Sequence, residues 1–197
     1  MKKADIIAAL DMVIDSFEKL GIDYCIAGSL ASSVYGIARA TMDIDLVADI
    51  DIHHVNNLVN ILEKNYYIDA DMITNAIHEK TSYNLIHLET MLKIDVFVLK
   101  NQPYDSQAFA KRLHDILDEE NPRKFYISSP EDVIIKKLQW YHAGGRISEQ
   151  QWKDVLGILK VQGKRLDLEY LNHWALRLNI SDLLNRSFND AGLTGIK

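Results

Sequence analysis

Residues 24–48 read YCIAGSLASSVYGIARATMDIDLVA, and the predicted fold follows mainly from these residues. Residues 24–27 form a short apolar run that ends at a glycine, which is typical of a buried strand. Gly28 permits a sharp turn, and Ser29 lies where a helix would begin, with a hydroxyl able to cap backbone N–H groups. The N-terminus of such a helix attracts a phosphate, because its N–H groups and its dipole both favour negative charge.

The same stretch ends in a second predicted strand that carries two aspartates on one face. Residues 43–47 read DIDLV, and the side chains of a strand point alternately to its two faces. Asp43 and Asp45 therefore lie together, with Cα atoms roughly 6–7 Å apart. Two carboxylates held in this way repel each other unless a cation lies beside them. Because Mg²⁺ takes oxygen ligands, the strand predicts a magnesium site.

A third aspartate lies on a later predicted strand. Residues 93–99 read KIDVFVL, and Asp95 faces away from Ile94 and Val96. If this strand pairs beside residues 43–47, three carboxylates converge on one surface. Such a surface suits two-metal phosphoryl or nucleotidyl transfer, in which metal ions activate the attacking oxygen and neutralise developing charge.

The ordered set of a glycine–serine turn, an Asp-x-Asp strand and a later strand aspartate resembles the polymerase-β-like nucleotidyltransferase superfamily. The matching positions are Gly28, Ser29, Asp43, Asp45 and Asp95. The resemblance implies that the serine turn holds the phosphates of an NTP and that the carboxylates hold Mg²⁺, with Mn²⁺ as a substitute. It leaves two roles open for Asp95, a third metal ligand or a base for the acceptor hydroxyl.

The composition is that of an ordinary globular protein. Of the 197 residues, 48% are hydrophobic and 25% are charged. No apolar run approaches the ~20 residues of a membrane helix, so we expect no membrane partner. Asp5, Asp11 and Asp15 interrupt the apolar stretch near the start, which disfavours a secretory signal. The single cysteine, Cys25, excludes an internal disulfide and fits a reducing cytoplasm, where we expect the protein to be located.

The order of the elements predicts an α+β protein with the nucleotidyltransferase fold, a mixed β-sheet with helices packed on it. Apolar spacings of three and four predict a packing helix over residues 4–20. Residues 82–88 and 92–99 alternate and predict an antiparallel hairpin. Residues 106–113 are predicted to be helical, and residues 118–122 to form a polar turn.

From residue 129 onward the sequence is predicted to be helical. Ser129 and Pro130 are a helix-start pair, and Asp132 is then a capping residue rather than a catalyst. We therefore expect a nucleotidyltransferase core with its N-terminal packing helix over residues 1–117, and a C-terminal helical subdomain over residues 118–197.

Two adjacent lysines of the first predicted C-terminal helix differ in position. At about 100° per residue, Val133, Ile134 and Leu138 form an apolar stripe that includes Lys137 and leaves Lys136 on the opposite side. A lysine directed at the core needs an anionic partner or a strongly shifted pKa. Lys137 is therefore the functional candidate, and its alternative is a lysine that snorkels from the edge of the stripe.

A second set of residues is similar to bacterial abortive-infection (AbiEii-type) and related toxin-like nucleotidyltransferases. In the first half of the chain this likeness rests on Arg39 and Thr41 before the Asp-x-Asp strand. Further along it rests on Lys137, Arg146 and Asp154. The resemblance implies that the lysine and Asp154 belong to the active site, and that the two arginines and Thr41 contact the nucleotide. Helical spacing alone predicts that Asp154 faces solvent.

The predicted function is Mg²⁺-dependent transfer of an NMP from an NTP to a hydroxyl acceptor. The resemblance leaves the acceptor open between an RNA 3′ end such as that of tRNA, a protein side chain and a small molecule such as an antibiotic. It also implies a place in a toxin–antitoxin or phage-defence system, with a cognate partner. The net charge of −6 disfavours indiscriminate binding to nucleic acid, but is compatible with a local basic site for one NTP or one RNA end.

Three other interpretations compete with the nucleotidyltransferase hypothesis. The protein could keep the fold but act as a non-catalytic antitoxin or regulatory module; the retention of all the carboxylates argues against it. The Asp-x-Asp pair is also found in metal-dependent glycosyltransferases, although the glycine–serine turn and Asp95 favour nucleotidyl transfer. Finally, the aspartates could simply face solvent, but aspartate is depleted in strands.

Overall fold

The computed structural model describes residues 3–39, 41, 43–118 and 121–193, which form two compact units. The first unit comprises Met1–Ile26 and Thr41–Phe109, and the second comprises Ala27–Ala40 and Ala110–Lys197. The predicted boundary after residue 117 concerns which segments fold on their own, and it stays a prediction.

Helices and strands alternate in the first part of the chain, and helices follow one another in the last part. The helices are α1 (Lys3–Leu20), α2 (Gly28–Tyr35), α3 (Val55–Leu62), α4 (Ala70–Glu79), α5 (Pro103–Ala110), α6 (Pro130–Ala143), α7 (Glu149–Gln162), α8 (Leu168–Arg177) and α9 (Ser181–Asp190). The strands are β1 (Asp23–Ala27), β2 (Asp43–Asp49), β3 (Tyr66–Tyr67), β4 (Ser82–His87), β5 (Lys93–Val98), β6 (Leu113–Asp118) and β7 (Asn121–Ile127). Short 3-10 turns cover Ile52–His54 and Gly163–Arg165.

The strands of the first unit lie in the order β3-β4-β5-β2-β1. β2 and β5 run parallel, whereas β4 is antiparallel to β5, as the hairpin prediction required. Burial alternates along β2 and β5, so that Ile44, Leu46, Ile94 and Val96 are buried while the side chains between them are more accessible. This alternation is what turns the aspartates of both strands to one face. The predicted α+β class with a mixed sheet is confirmed.

Helix α1 packs its apolar stripe into the first unit, as predicted. Leu10, Val13, Ile14 and Phe17 are all fully buried. Cys25 of β1 is buried, which agrees with a packing role. Across the residues that the structure describes, no helix combines the length and the apolar character needed to cross a membrane.

The second unit contains the β6–β7 hairpin and the helices α2 and α6–α9. Helix α6 begins as predicted, because the Ser129 hydroxyl accepts a hydrogen bond from the backbone N–H of Asp132 and Pro130 takes the first helical position. The buried Asp132 carboxylate accepts hydrogen bonds from the hydroxyls of Ser129 (2.6 Å) and Tyr170 (2.7 Å). It ties α6 to α8, which supports the prediction that Asp132 is not a catalyst.

One predicted element is wrong at its end. The helix predicted over residues 106–113 is present as α5, but α5 ends at Ala110 and Leu113 begins β6. Pairing with β7 overrides the local helical pattern, because each residue of the ladder gains inter-strand hydrogen bonds. The predicted polar turn lies partly outside the described residues, which omit 119 and 120.

Candidate functional site

The three predicted aspartates lie on one face of two neighbouring parallel strands in the first unit. Asp45 of β2 lies directly opposite Asp95 of β5, and Asp43 lies opposite Lys93. Neighbouring strands are about 4.8 Å apart, so the side chains of Asp45 and Asp95 project from adjacent positions. We call the surface formed by Asp43, Asp45 and Asp95 the acidic face. The expected pairing of these two strands is confirmed.

A lysine that the sequence analysis did not select neutralises part of the acidic face. The ammonium of Lys93 lies 2.8 Å from each carboxylate oxygen of Asp95. The hydrogen bond with Asp95 is the main cause of the raised pKa of Lys93. Burial opposes it, and the charges of Asp95, Asp43 and Asp45 add to the rise. The signal was present in the sequence, because a period of two places residue 93 on the face of residue 95.

A third strand adds an amide to the same row. Asn84 of β4 lies opposite Asp95, and both side chains are partly accessible. Asn84, Asp95 and Asp45 therefore occupy aligned positions on three neighbouring strands. An amide oxygen is a neutral ligand that hard cations accept beside carboxylates. Asn84 was not predicted to join the site, because the register between two strands cannot be read from one strand alone.

The donor set fits a divalent cation in its chemistry, although its side chains are not arranged around one point. Among the residues that the structure describes, no three or more His, Cys, Asp or Glu side chains form a ready metal site. The Lys93 ammonium instead holds Asp95, which shows where the charge of the acidic face draws a cation. A Mg²⁺ bound between Asp45 and Asp95 would compete with Lys93 for the Asp95 carboxylate. The metal role of the three aspartates stays a prediction.

The second unit contains a compact cluster around the carboxylate of Asp154 on α7. Arg39 donates to both of its oxygens, from Nε at 3.1 Å and from Nη2 at 3.2 Å. Lys137 of α6 donates to Oδ2 at 2.7 Å, and Gln150 donates to Oδ1 at 2.8 Å. Arg39 also donates to the hydroxyl of Ser29 at 2.6 Å. We call Ser29, Arg39, Lys137 and Asp154 the Asp154 cluster.

Burial and charge together define the state of Asp154. Its side chain is 6% exposed and that of Lys137 is 5% exposed. Burial alone would raise the pKa of this carboxyl, but the hydrogen bonds and charges of Arg39 and Lys137 outweigh it and lower the pKa. The carboxylate is therefore ionised and fully engaged. With two cations and one anion, the cluster carries a net charge of about +1 beside the Ser29 hydroxyl, which suits an anionic ligand.

The helical-wheel prediction holds for the lysines and fails for Asp154. Lys137 is buried and has an anionic partner, whereas Lys136 is partly exposed. Asp154 was expected in solvent because it lies off the apolar stripe of α7. It is instead covered by Arg39, from a segment 115 residues away in sequence, a contact that the periodicity of one helix cannot reveal.

Two glycines bring Arg39 to Asp154. A Cβ at Gly36 would lie 2.9 Å from the backbone nitrogen of Ile158 and 3.1 Å from the carbonyl carbon of Gly157. The end of α2 and the backbone of α7 thus approach more closely than any side chain would permit. Arg39 follows Gly36 by three residues and Asp154 precedes Gly157 by three, so this close contact fixes both partners.

The predicted capping role of Ser29 is wrong. Helix α2 begins one residue earlier, at Gly28, and no side chain caps its first turn. The hydroxyl of Ser29 instead accepts the hydrogen bond from Arg39. Gly28 has a φ of +57°, which a non-glycine residue rarely adopts, so the predicted glycine turn is confirmed. The phosphate-binding role of Gly28 and Ser29 stays a prediction.

The last two residues predicted to contact the nucleotide, Thr41 and Arg146, have other partners in the structure. The hydroxyl of Thr41 donates to the backbone carbonyl of Asp43 at 3.0 Å and braces the start of β2. Arg146 lies at the surface, where its guanidinium is 2.7 Å from the carboxylate of Asp182 and also contacts the ring of His142. Their proposed contacts with a nucleotide stay predictions.

Comparison with known proteins adds evidence on the fold. No family model and no curated protein matches the sequence. Among solved structures, the antibiotic-resistance factor ANT(2'')-Ia in solution is similar, with a TM-score of 0.60 and 12% identity over 95% of this chain and 100% of that one. ANT(2'')-Ia in complex with adenylyl-2''-tobramycin gives a TM-score of 0.57 and 12% identity over 86% of this chain and 95% of that one.

A third similar structure is an antigenic nucleotidyltransferase-like protein from Paracoccidioides brasiliensis. Its TM-score is 0.51, with 20% identity over 89% of this chain and 91% of that one. At these identities the likeness concerns the backbone arrangement and not the side chains of the site. This chain therefore has the fold of nucleotidyltransferases.

Proposed function

We propose that this protein transfers a nucleoside monophosphate from an NTP to a hydroxyl acceptor. The observation that carries the proposal is the acidic face, where Asp45 and Asp95 lie opposite each other on parallel strands with Asp43 on the same face. The nucleotidyltransferase fold and the cationic Asp154 cluster support it. In the reaction, the acceptor oxygen bonds to the α-phosphorus of the NTP, the bond from that phosphorus to the β-phosphate oxygen breaks, and pyrophosphate leaves.

Each residue set has a distinct role in this proposal. Asp43 and Asp45 would hold Mg²⁺, or Mn²⁺ in its place, which when bound would polarise the phosphates and stabilise the charge of the transition state. Asp95 would be a third ligand of the metal or would accept the proton of the acceptor hydroxyl. Ser29 and the backbone N–H groups after Gly28 bind the β- and γ-phosphates. Catalysis then rests mainly on positioning and electrostatic stabilisation.

The Asp154 cluster supplies the cations of the phosphate site. Arg39 and Lys137 neutralise phosphate charge through charge-assisted hydrogen bonds. Asp154 acts as a positioning residue, because its carboxylate already accepts hydrogen bonds from Arg39, Lys137 and Gln150. It aligns the two cations and prevents their mutual repulsion from separating them. Thr41 and Arg146 reach the nucleotide only if they exchange their present partners.

The resemblance to toxin-like nucleotidyltransferases supports two narrower parts of the proposal, a role in a toxin–antitoxin or phage-defence system and a cognate partner protein. The single cysteine, Cys25, supports a cytoplasmic location. A regulatory module without activity is the second candidate function. One observation favours that candidate, because Lys93 holds Asp95 in the manner of a resident counter-ion.

A labelling experiment separates the two candidates. The protein is incubated with each α-labelled NTP and Mg²⁺, together with total RNA or with cell lysate. We expect label in RNA, protein or a small molecule with at least one NTP, and none with Asp45→Asn. An Asp49→Asn variant, changed at the exposed far end of β2, is the matched control and is expected to label normally. Absence of label with every NTP and acceptor source would reject the transferase and favour the regulatory module.

A further inference from the structure

A pocket of about 310 Å³ lies within the second unit, next to the Asp154 cluster. One face of α7 and the segment after α2 form its walls, which include Ile37, Arg39, Lys153, Leu156 and Lys160. Its volume is near the lower end of the range for small-ligand sites, so it suits a group of about the size of one nucleotide. Of its described lining residues, Arg39 and Asp154 have roles proposed above, and the rest have none.

The pocket is cationic. Arg39, Lys153 and Lys160 line it, and Asp154 is the single acid among the lining residues that the structure describes. Asp154 is already shared between Arg39 and Lys137. Lys153 has an ion pair with Glu149 at 3.2 Å, but both of these side chains are largely exposed, so the pair contributes little. Within the described ranges, Lys160 has no ion-pair partner.

The two lysines and the glycine between them shape the pocket. Lys153, Gly157 and Lys160 follow one face of α7, and the lysines are seven residues, or roughly 10 Å, apart along the helix axis. Gly157 carries no side chain, and a Cβ there would lie 3.3 Å from the backbone nitrogen of Ile37. Ile37 is 69% exposed, an unusual state for a large apolar side chain that lines a pocket. The combination suits a ligand with a phosphate group next to a less polar ring.

We propose that this pocket binds a phosphate-bearing acceptor, so that the substrate that receives the NMP is an anion. This inference rests on the proposed transferase function. The phosphates of the NTP are assigned to Ser29, Arg39 and Lys137, and Lys137 is not among the described residues that line the pocket. Lys153 and Lys160 are therefore cations beyond those that the NTP uses. A polycationic acceptor would be repelled by the same residues.

The test compares ligand binding by two charge-removing variants. Lys153→Gln combined with Lys160→Gln removes the two lysines from the pocket. Lys164→Gln removes an exposed lysine in the 3-10 turn after α7 and is the matched control. The probes are a fluorescent RNA hexamer with a 3′ hydroxyl, AMP as a small phosphate ester, and ATP, all without Mg²⁺. Dissociation constants are measured by anisotropy or calorimetry at two salt concentrations.

We expect the double variant to bind the hexamer or AMP about tenfold more weakly, while ATP affinity changes less than about twofold. If the hexamer is the ligand, the slope of the logarithm of its binding constant against the logarithm of the salt concentration should decrease in magnitude by about 0.7 per lost phosphate contact. This change distinguishes an RNA from a small ester. The Lys164→Gln protein should behave as the wild type.

Several results would overturn the proposal. They are unchanged affinity in the double variant, an equal loss in Lys164→Gln, a loss confined to ATP, or no binding of either phosphate probe to the wild type. Failure of the transferase function has a different signature. In that case no NTP labels any acceptor, while the lysine-dependent binding of the phosphate probe persists.

Discussion

In the acidic face three carboxylates act on one lysine, whereas in the Asp154 cluster one carboxylate is shared by two cations. The acidic face is partly open to solvent, with Lys93 42% exposed and Asp95 22% exposed. The Asp154 cluster has a buried carboxylate and a buried lysine with their hydrogen bonds satisfied. A surface with excess negative charge gains from another cation, while a satisfied buried cluster mainly holds its members in place.

This difference predicts which substitutions affect function and which affect stability. A change in the acidic face should remove a ligand-binding property and leave the folded state nearly as stable, because like charges that repel one another are relieved. A change in the Asp154 cluster should lower stability, because it leaves a buried charge without its partner.

The largest effect is expected for Asp45→Asn. The variant should lose at least about a thousandfold in NMP transfer, since a neutral amide replaces a charged metal ligand at the reacting centre. Its midpoint of urea unfolding should be the same as or higher than that of the wild type. Calorimetry with Mn²⁺ and the transfer assay measure the two properties. A variant that unfolds much more readily, or one that still transfers NMP, would contradict the proposed difference between the acidic face and the Asp154 cluster.

Lys137→Met is expected to have the next largest effect and to alter both properties. Removal of the buried ammonium should reduce transfer by about a hundredfold, because a phosphate-binding cation is lost. It should also destabilise the fold by about 1–3 kcal/mol, less than for an isolated buried pair because Arg39 still serves Asp154. Lys136→Met, a change at the partly exposed neighbour, is the control and should alter each property little. Equal effects of the two substitutions would contradict the helical-wheel argument.

Gly36→Ala tests how the Asp154 cluster is assembled. The added methyl group would lie 2.9 Å from a backbone nitrogen of α7, so the two segments must separate, at a cost of about 1–3 kcal/mol in stability. The shift should also weaken ATP binding through Arg39. Gly157→Ala, with a nearest contact of 3.3 Å, should follow the same trend more weakly. Unfolding curves and ATP affinities check this order, and a neutral Gly36→Ala would show that close approach is not required.

The strands and the acidic face could be predicted from the sequence, because they depend on a period of two. Residues 43–47 and 93–98 each show their buried and accessible sides without knowledge of the partner strand. The burial of Lys137 could also be predicted from the sequence, because its position on an apolar stripe indicates a buried charge. These features depend on local periodicity, and the burial pattern of the folded protein follows that periodicity.

The missed features depend on contacts between segments that are distant in sequence. Asn84 joins the acidic face only through the register of β4 with β5. Asp154 is buried by Arg39, and Leu113 belongs to a strand only because β7 pairs with it. Lys93 is the exception. Its place on the same face as Asp95 follows from the period of the strand, but a cation is not itself a metal ligand.

A smaller effect is expected from pH on the Asp154 cluster. The pKa of Asp154 is lower in the folded protein than in the unfolded chain, because Arg39 and Lys137 favour its ionised form despite its burial. Its contribution to stability is therefore complete above the ordinary aspartate pKa of about 3.9 and is lost as the pH falls through the lowered value. The stability difference between the wild type and Asp154→Asn should narrow across this interval. A difference that stays constant from pH 6 to pH 3 would contradict the ion-pair assignment.

The smallest effect is expected for Lys93→Met, which tests the acidic face by removing the cation that is paired with Asp95. If Lys93 occupies the position to which the carboxylates draw positive charge, its removal should free Asp95 for a divalent ion. The affinity for Mn²⁺ without nucleotide should then rise about two- to fivefold, a range set by the modest strength of a half-exposed ion pair. Lys100→Met, changed beyond the end of β5, is the control and should leave the affinity unchanged. A weaker affinity in Lys93→Met would mean that the lysine organises the carboxylates rather than competing for them, and the acidic face would then resemble the Asp154 cluster more closely than its charges suggest.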